Sequence, residues 1–331
     1  MNRKPARPGE FDVIGRHFAP LARGERGAFG LEDDAALLVP RAGHGLIITT
    51  DAIVEGVHFL RTDPPSRIAQ KALRVNLSDL AAKGARPRCY VMTTAWPDWV
   101  DERWIAAFAE GLAHDQTQFG ITLSGGDTVR TPGPLSVSIT ALGEIKGRRM
   151  VRRAGARAGD DIWVTGTIGD AGLGLRVAQG LLPASGVANG TFLLGRYQVP
   201  EPRVAFGAGL SRVARGAIDV SDGLVADLGH VAQCSGLSLE IDPDLVPLSA
   251  AARHVLSRGL VTIADLLGAG DDYEIAFTAP ASARRQVLAL GARSSTQVSR
   301  IGACRKGEAG VVVRDASGTI LRPTRTGFTH F

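Results

Sequence analysis

Cysteine is scarce: Cys89, Cys234 and Cys304 stand far apart, and no C-x-x-C pair exists. That argues against a disulfide framework and a thiolate zinc site, and it fits a reducing compartment. Aromatic residues make up only 5%, and no basic run is interleaved with them. A base-stacking surface for nucleic acid is therefore not expected, although the formal charge is +5. A mild positive field suits an anionic small substrate equally well. No run approaches 18 apolar residues, and Met1–Gly9, though basic and proline-rich, lacks an apolar signal core. The expectation is a cytoplasmic protein with no membrane partner. No Gly-Lys dipeptide occurs, which removes the Walker A loop, and the protein-kinase motifs are absent as well. Any use of ATP must rest on another fold.

What is present is a chain of 331 residues, 44% hydrophobic, long enough for two cores. Leu46–Thr50 reads as a buried strand with polar residues at its C-terminal end. Ser66–Ala82 reads as a helix with Ser66 as N-cap and Gly84 as stop, and Asp101–Phe119 as an amphipathic helix closed by Gly120. Cys89–Ala95, Ile121–Ser124 and Leu135–Glu144 read as strands. Gly147–Asp160 is rich in Arg and Gly, so a boundary is placed there, giving domains 1–149 and 150–331. The second half predicts strands at Asp161–Thr165, Ala217–Val220, Ser238–Ile241, Tyr273–Thr278 and Gly310–Arg314. It predicts helices at Ala171–Gln179, Pro202–Arg215, Gly223–Gln233 and Ala281–Leu290. Alternation in both halves argues for α/β or α+β layers.

Aspartate falls in a pattern. Six places set it beside Gly, Ser, Thr or another acid: Glu32-Asp33-Asp34, Thr49-Thr50-Asp51, Asn76-Leu77-Ser78-Asp79, Gly125-Gly126-Asp127-Thr128, Asp219-Val220-Ser221-Asp222-Gly223 and Gly270-Asp271-Asp272-Tyr273-Glu274. Three of them directly follow strand-like runs, where loops on a rigid base gather ligands. Carboxylates brought together repel, and a hard cation with oxygen ligands resolves the conflict. The scarcity of Cys and His at these places favours Mg²⁺ over zinc. Each Asp also has an ordinary reading as a turn residue or helix N-cap. Gly125-Gly126 and the run Gly166–Gly174 could let backbone N–H groups approach phosphate, or the run could serve tight packing.

In order along the chain, Asp33-Asp34-Ala35-Ala36, Thr49-Thr50-Asp51, Gly56-Val57-His58-Phe59, Lys71–Ala82, Gly125–Thr128, Val164–Gly169, Ile218–Leu224 and Asp272-Tyr273-Glu274 resemble the thiamine-monophosphate kinases. That family belongs to the aminoimidazole ribonucleotide synthetase-like superfamily. The resemblance runs from Gly9-Glu10-Phe11 to Phe328–Phe331. It implies an α/β (α+β) two-domain fold, whose N-terminal mixed sheet pairs across a homodimer, with a C-terminal α/β domain and an active-site cleft between domains. It implies ATP-dependent phosphorylation of thiamine phosphate, with several Mg²⁺ ions held by Asp34, Thr49, Thr50, Asp51, Asp79, Asp127, Asp219 and Asp222. It implies ATP contacts from Gly126, Asp127, Arg153 and Ser221, and thiamine phosphate near His58, Asp271 and Phe328.

Phosphoryl transfer asks mainly for positioning and charge neutralisation, so a direct in-line transfer without a covalent nucleophile is expected. Glu32 stands where the family often has Gly, and Asp271 where Glu is frequent. On pattern alone His58 reads as a structural hydrogen-bonder, Arg153 reads equally as a surface charge or a phosphate contact, and Phe328 as packing or a stacking face for a flat cationic ring. Two rivals share the acidic motifs: an ATP-using ligase of the same superfamily, and a non-catalytic nucleotide sensor. The Gly56–Phe59 block and the aromatic C-terminus favour the kinase.

Overall fold

A computed structural model describes residues 9–147, 149–182, 190–321 and 327. Contacts divide the chain into two units, Met1–Leu80 with Pro87–Arg148, and Ala81–Arg86 with Arg149–Phe331. The first unit opens with α1 (Glu10–Val13) and short π and 3-10 turns that reach Leu31. Then come β1 (His44–Val54), α2 (Pro65–Ala82), β2 (Arg86–Trp96), α3 (Glu102–Phe119), β3 (Thr122–Arg130) and β4 (Ser136–Lys146). The four strands lie in the order β1-β4-β2-β3. β1 and β4 pair antiparallel from His44 opposite Lys146 to Val54 opposite Ser136. β2 and β3 run parallel, with an irregularity between Tyr90 and Val91.

Local chemistry accounts for both long helices. The Asp101 carboxylate accepts the Trp104 N–H at 2.8 Å, capping α3, and Gly120 closes it at φ 64°. Ile105, Phe108 and Leu112 form its buried stripe. α2 is buried on nearly all sides, with Ile68, Leu73, Leu77 and Leu80 at 1% exposure or less. Its start differs from the expectation. Arg67 and Ile68 both donate N–H to the Pro64 carbonyl, so Pro65 begins the helix and Ser66 lies inside it rather than capping it. Proline suits that place because its missing N–H would have no partner there.

The second unit holds β5 (Asp160–Thr165), α4 (Asp170–Ala178), α5 (Gly190–Gln198), α6 (Val204–Leu210), β6 (Gly216–Asp219), α7 (Leu224–Ser235) and β7 (Ser238–Ile241). It continues with α8 (Ala250–Ser257), α9 (Ile263–Leu267), β8 (Ile275–Pro280), α10 (Arg284–Arg293), β9 (Val298–Arg305), β10 (Gly310–Arg314) and β11 (Ile320–Leu321). Their order is β11-β10-β7-β9-β5-β8-β6. β7 and β10 pair parallel, and the other neighbours antiparallel. Side chains alternate between two cores, as a pleated sheet requires. Ile162, Val164, Ile218 and Ala276 pack with Leu224, Leu228 and Val231 of α7. Trp163, Ala217 and Phe277 pack with Phe206, Leu210 and Val287 of α6 and α10. The helix expected over Pro202–Arg215 is shorter, because the chain turns after Leu210 to enter β6. The result is a mixed α/β architecture.

Candidate active site

The acidic motifs do not all stand at strand ends. β1 continues through Thr50 and Asp51 to Val54, and β3 contains Gly125, Gly126, Asp127 and Thr128. The strands continue because pairing with β4 and β2 holds the backbone extended through the polar residues. Asp219, the last residue of β6, does end its strand. Period two then sorts the β1 side chains. Thr49 and Asp51 share one face, where the Thr49 hydroxyl donates to the Asp79 carboxylate of α2. Thr50 turns to the other face, donating to the Ile139 carbonyl at 3.2 Å and accepting from Thr140 at 3.0 Å. Burial, then the charge of Asp79 and a shared hydrogen bond, push the Asp51 carboxyl up to about 6. Among the described residues neither Asp51 nor Asp79 has an ion-pair partner.

A cleft of about 120 Å³ in the same unit joins Asp33 and Asp34 to Gly125, Gly126, Asp127 and Thr128. Gly126 lies at φ 157°, and a Cβ there would stand 1.9 Å from the Met92 carbonyl oxygen. The parallel β2–β3 contact is thus closed to any side chain at this point. The Asp127 carboxylate accepts the N–H of Thr128 at 2.7 Å, and the Asp33 carboxylate that of Asp34 at 2.8 Å. Glu32 sits at φ −98°, so its departure from Gly needs no unusual backbone; Phe29, Gly30 and Leu31 carry the positive φ values.

In the second unit the Ser221–Gly223 loop is tied inward. One oxygen of Asp227, on the first turn of α7, accepts the N–H groups of Ser221, Asp222 and Gly223 at 3.0, 3.0 and 3.1 Å. Burial and the nearby Asp222 charge still push the Asp227 carboxyl up to about 7. The Asp271 segment lies alongside: Asp271 N–H donates to the Ser221 carbonyl and Tyr273 N–H to the Val220 carbonyl, both at 2.8 Å. Asp271 is at φ 69° and Tyr273 at φ 51°. A non-glycine pair held this way marks a segment fixed by its surroundings, and Asp tolerates the left-handed region better than most residues. Gly327 also packs here, since a Cβ on it would lie 2.8 Å from the Asp222 carbonyl oxygen. Phe328 lies outside the described residues. Ser221, Asp222 and Asp271 are thereby brought together within one unit.

His58 accepts the Val54 N–H through Nδ1 at 3.1 Å, which places the proton of the neutral ring on Nε2. Its carbonyl accepts from the buried Lys71 ammonium at 2.7 Å. Arg153 is exposed, on a stretch beside β6 where Ala217 N–H donates to the Arg152 carbonyl. The glycine run is used for packing. Asp272, fully buried, accepts the N–H groups of Gly169 and Ala171 at the start of α4, at 2.6 and 3.2 Å. Burial holds its carboxyl well above the usual range. A Cβ on Gly174 would sit 2.0 Å from the Leu193 carbonyl oxygen.

Glu274 is the member of these motifs whose role sequence reasoning did not reach. It is fully buried, accepts two bonds from Arg203 at 2.6 Å each, and adds Arg196 at 2.9 Å and Thr165 at 2.7 Å. Its neighbour Asp272 shares that inward role, so this acidic motif builds structure through these two residues. The one available signal was Gly166, whose added Cβ would stand 2.0 Å from a Glu274 oxygen.

Among the described residues, no three of His, Cys, Asp or Glu group closely enough to cage a metal ion. Mg²⁺ needs no such cage, since it keeps several waters and takes one or two carboxylates together with substrate phosphates. The Asp51–Asp79 pair, backed by the Thr49 hydroxyl, has the hard oxygen donors and the mutual repulsion that such an ion relieves.

Fold and site together define an AIR synthase-related protein: the family model described as AIR synthase related protein, N-terminal domain, matches residues 32–145. The thiamine-monophosphate kinase of Caulobacter vibrioides is 42% identical, over 98% of this chain and 92% of that protein. The crystal structure of thiamine-monophosphate kinase from Stenotrophomonas maltophilia K279a is 43% identical, with a TM-score of 0.78 over 85% of this chain and 89% of that one. AaThiL complexed with AMPPCP and TMP is 30% identical, with a TM-score of 0.75 over 93% and 98%. The chain belongs to the thiamine-monophosphate kinase family.

Proposed function

We propose that the protein transfers the terminal phosphoryl group of ATP to the phosphate of thiamine phosphate, forming thiamine diphosphate. The observation that carries this reading is a relative, alike over 93% of this chain, solved complexed with AMPPCP and TMP. Both reactants are anions, so the protein must neutralise charge and align two phosphates. Asp34, Asp51, Asp79, Asp127, Asp219 and Asp222, with Thr49 and Thr50, are proposed to hold Mg²⁺. Thr50 would use its backbone carbonyl, since its side chain is committed to the other face. When bound, such ions neutralise phosphate oxygens and lower the repulsion between the reactants. Gly126 gives the nucleotide a close approach to backbone, with Asp127, Ser221 and Arg153 as further contacts. His58, Asp271 and Phe328 are assigned to thiamine phosphate, with Tyr273 holding the Asp271 carboxylate at 3.3 Å.

The attacking oxygen is already anionic, so no general base is assigned and the transfer is direct. Residues 1–149 and 150–331 are proposed as the two functional domains. The edge strands β1 and β3, with Ile48 and Val129 exposed, suit pairing with a second copy of the chain. A cytoplasmic location is proposed; no helix among the described residues is long and apolar enough to cross a membrane. The test is incubation of the full chain with ATP, Mg²⁺ and thiamine phosphate, with chromatographic detection of thiamine diphosphate. Asp79→Asn is expected to abolish turnover with the circular dichroism spectrum intact. Absence of product in the wild type, or full turnover in the variant, would overturn the reading.

A further inference from the structure

Away from these motifs, the second unit carries a cavity of about 580 Å³ lined by α6, α10, the residues that follow each helix, and Arg86. Its apolar lining includes Ala205, Ala208 and Leu290, and three arginines border it, Arg86, Arg212 and Arg293. All three arginines are exposed, and the lining contains no Asp or Glu. Among the described residues none of the three has an ion-pair or side-chain hydrogen-bond partner. Other arginines of this unit are matched: Arg215 with Asp160 at 2.9 Å, Arg284 with Asp161 at 2.7 Å, and Arg196 and Arg203 with Glu274. Three uncompensated positive charges around one concavity focus a field that concentrates anions. Guanidinium forks match phosphate oxygens in bidentate geometry. The short side chains of Ala205 and Ala208 leave a shallow apolar surface that a flat ring can cover. The volume falls within the range of small-molecule sites.

We propose that this cavity is a second, non-catalytic site for an organic diphosphate, with its ring on the alanine surface and its phosphates on the arginines. ADP and thiamine diphosphate share that chemistry, and the experiment separates them. The assignment stands on the cavity itself and does not depend on the kinase reading.

The test is hydrogen–deuterium exchange on the full chain with ADP, thiamine diphosphate or sulfate in separate arms. At a ligand concentration of about ten times Kd, exchange by opening of residues 204–213 and 284–294 should slow roughly tenfold by linkage. The arm that gives protection identifies the ligand. Arg212→Ala/Arg293→Ala should lose this protection while keeping wild-type turnover and the wild-type melting temperature. No protection by either diphosphate, equal protection by sulfate, or undiminished protection in the variant would overturn the proposal. Loss of turnover in a folded variant would overturn its non-catalytic character. If the wild type itself made no thiamine diphosphate, the kinase reading would fail, and the exchange arms would still decide this site.

Discussion

Glu274 shows how far an acidic motif can be from the chemistry its sequence suggests. Its carboxylate is fully buried and bridges Arg196, Arg203 and Thr165. Removing the charge leaves the largely buried Arg203 and Arg196, among the described residues, only the exposed Glu201 as counterion, at 3.0 and 3.8 Å. Glu274→Gln is therefore expected to cost about 3 kcal/mol or more in urea unfolding; a loss below about 1 kcal/mol would contradict the network's importance. Gly126 makes the opposite case, a residue defined by what cannot be there. Gly126→Ala puts a methyl group 1.9 Å from the Met92 carbonyl, so β3 must shift away from β2. The expected outcome is a melting temperature several degrees lower and nucleotide affinity at least tenfold weaker by calorimetry, a roughly 1.4 kcal/mol effect. Asp79 and Asp51 were visible in the sequence as acids among hydroxyls, and strand period puts Asp51 on the face of Thr49, which meets Asp79 of α2. Nothing in the sequence tells Asp272 and Glu274 apart from them, because burial is decided by which neighbours the fold supplies.

At the scale of elements, α3 was readable from end to end: Asp101 caps it, Gly120 stops it, and its apolar stripe has helical spacing. Asp101→Ala should cost about 1 kcal/mol by thermal or chemical unfolding, the usual value of a lost N-cap; no measurable change would mean the cap is idle. β7 and β10 were likewise legible from short β-branched or apolar runs. β1 and β3 were cut short, because Thr-Asp and Gly-Gly-Asp carry turn chemistry that tertiary pairing overrides. β9 was missed because Arg, Gly and Cys interrupt its apolar pattern, and α8 because its buried face is built from Ala251, Ala252 and Val255. The excursion of Ala81–Arg86 into the second unit has no sequence signal, since it rests on packing of Ala81 and Ala82 with Phe206 and Leu210.

For the whole molecule, the acidic residues make stability depend on pH and on cations. Asp51 and Asp227 have folded values near 6 and 7, above the ordinary 3.8, so between those values the folded state holds protons that the unfolded chain releases. Stability from these groups is present below about pH 4 and is lost as pH rises through 6 to 7. The metal-free protein should therefore melt several degrees lower at pH 7.5 than at pH 5. Mg²⁺ should raise the melting temperature more at pH 7.5 than at pH 5, because it competes with the proton for Asp51. Asp51→Asn should weaken both effects. Equal Mg²⁺ shifts at the two pH values, or none, would contradict the metal assignment. Differential scanning calorimetry with and without chelator makes the comparison.

The inward tie of the Ser221–Gly223 loop has a further consequence. A glycine-bearing turn ahead of a helix usually greets a phosphate with bare amides, but here Asp227 has already claimed all three of them. With those amides taken, the Ser221 hydroxyl is the donor this turn can still offer a phosphate, and the nearby Asp222 charge opposes a polyanion. Chelation should thus abolish nucleotide capture as well as turnover, leaving the folded chain blind to ATP until a divalent ion reverses the sign of that surface.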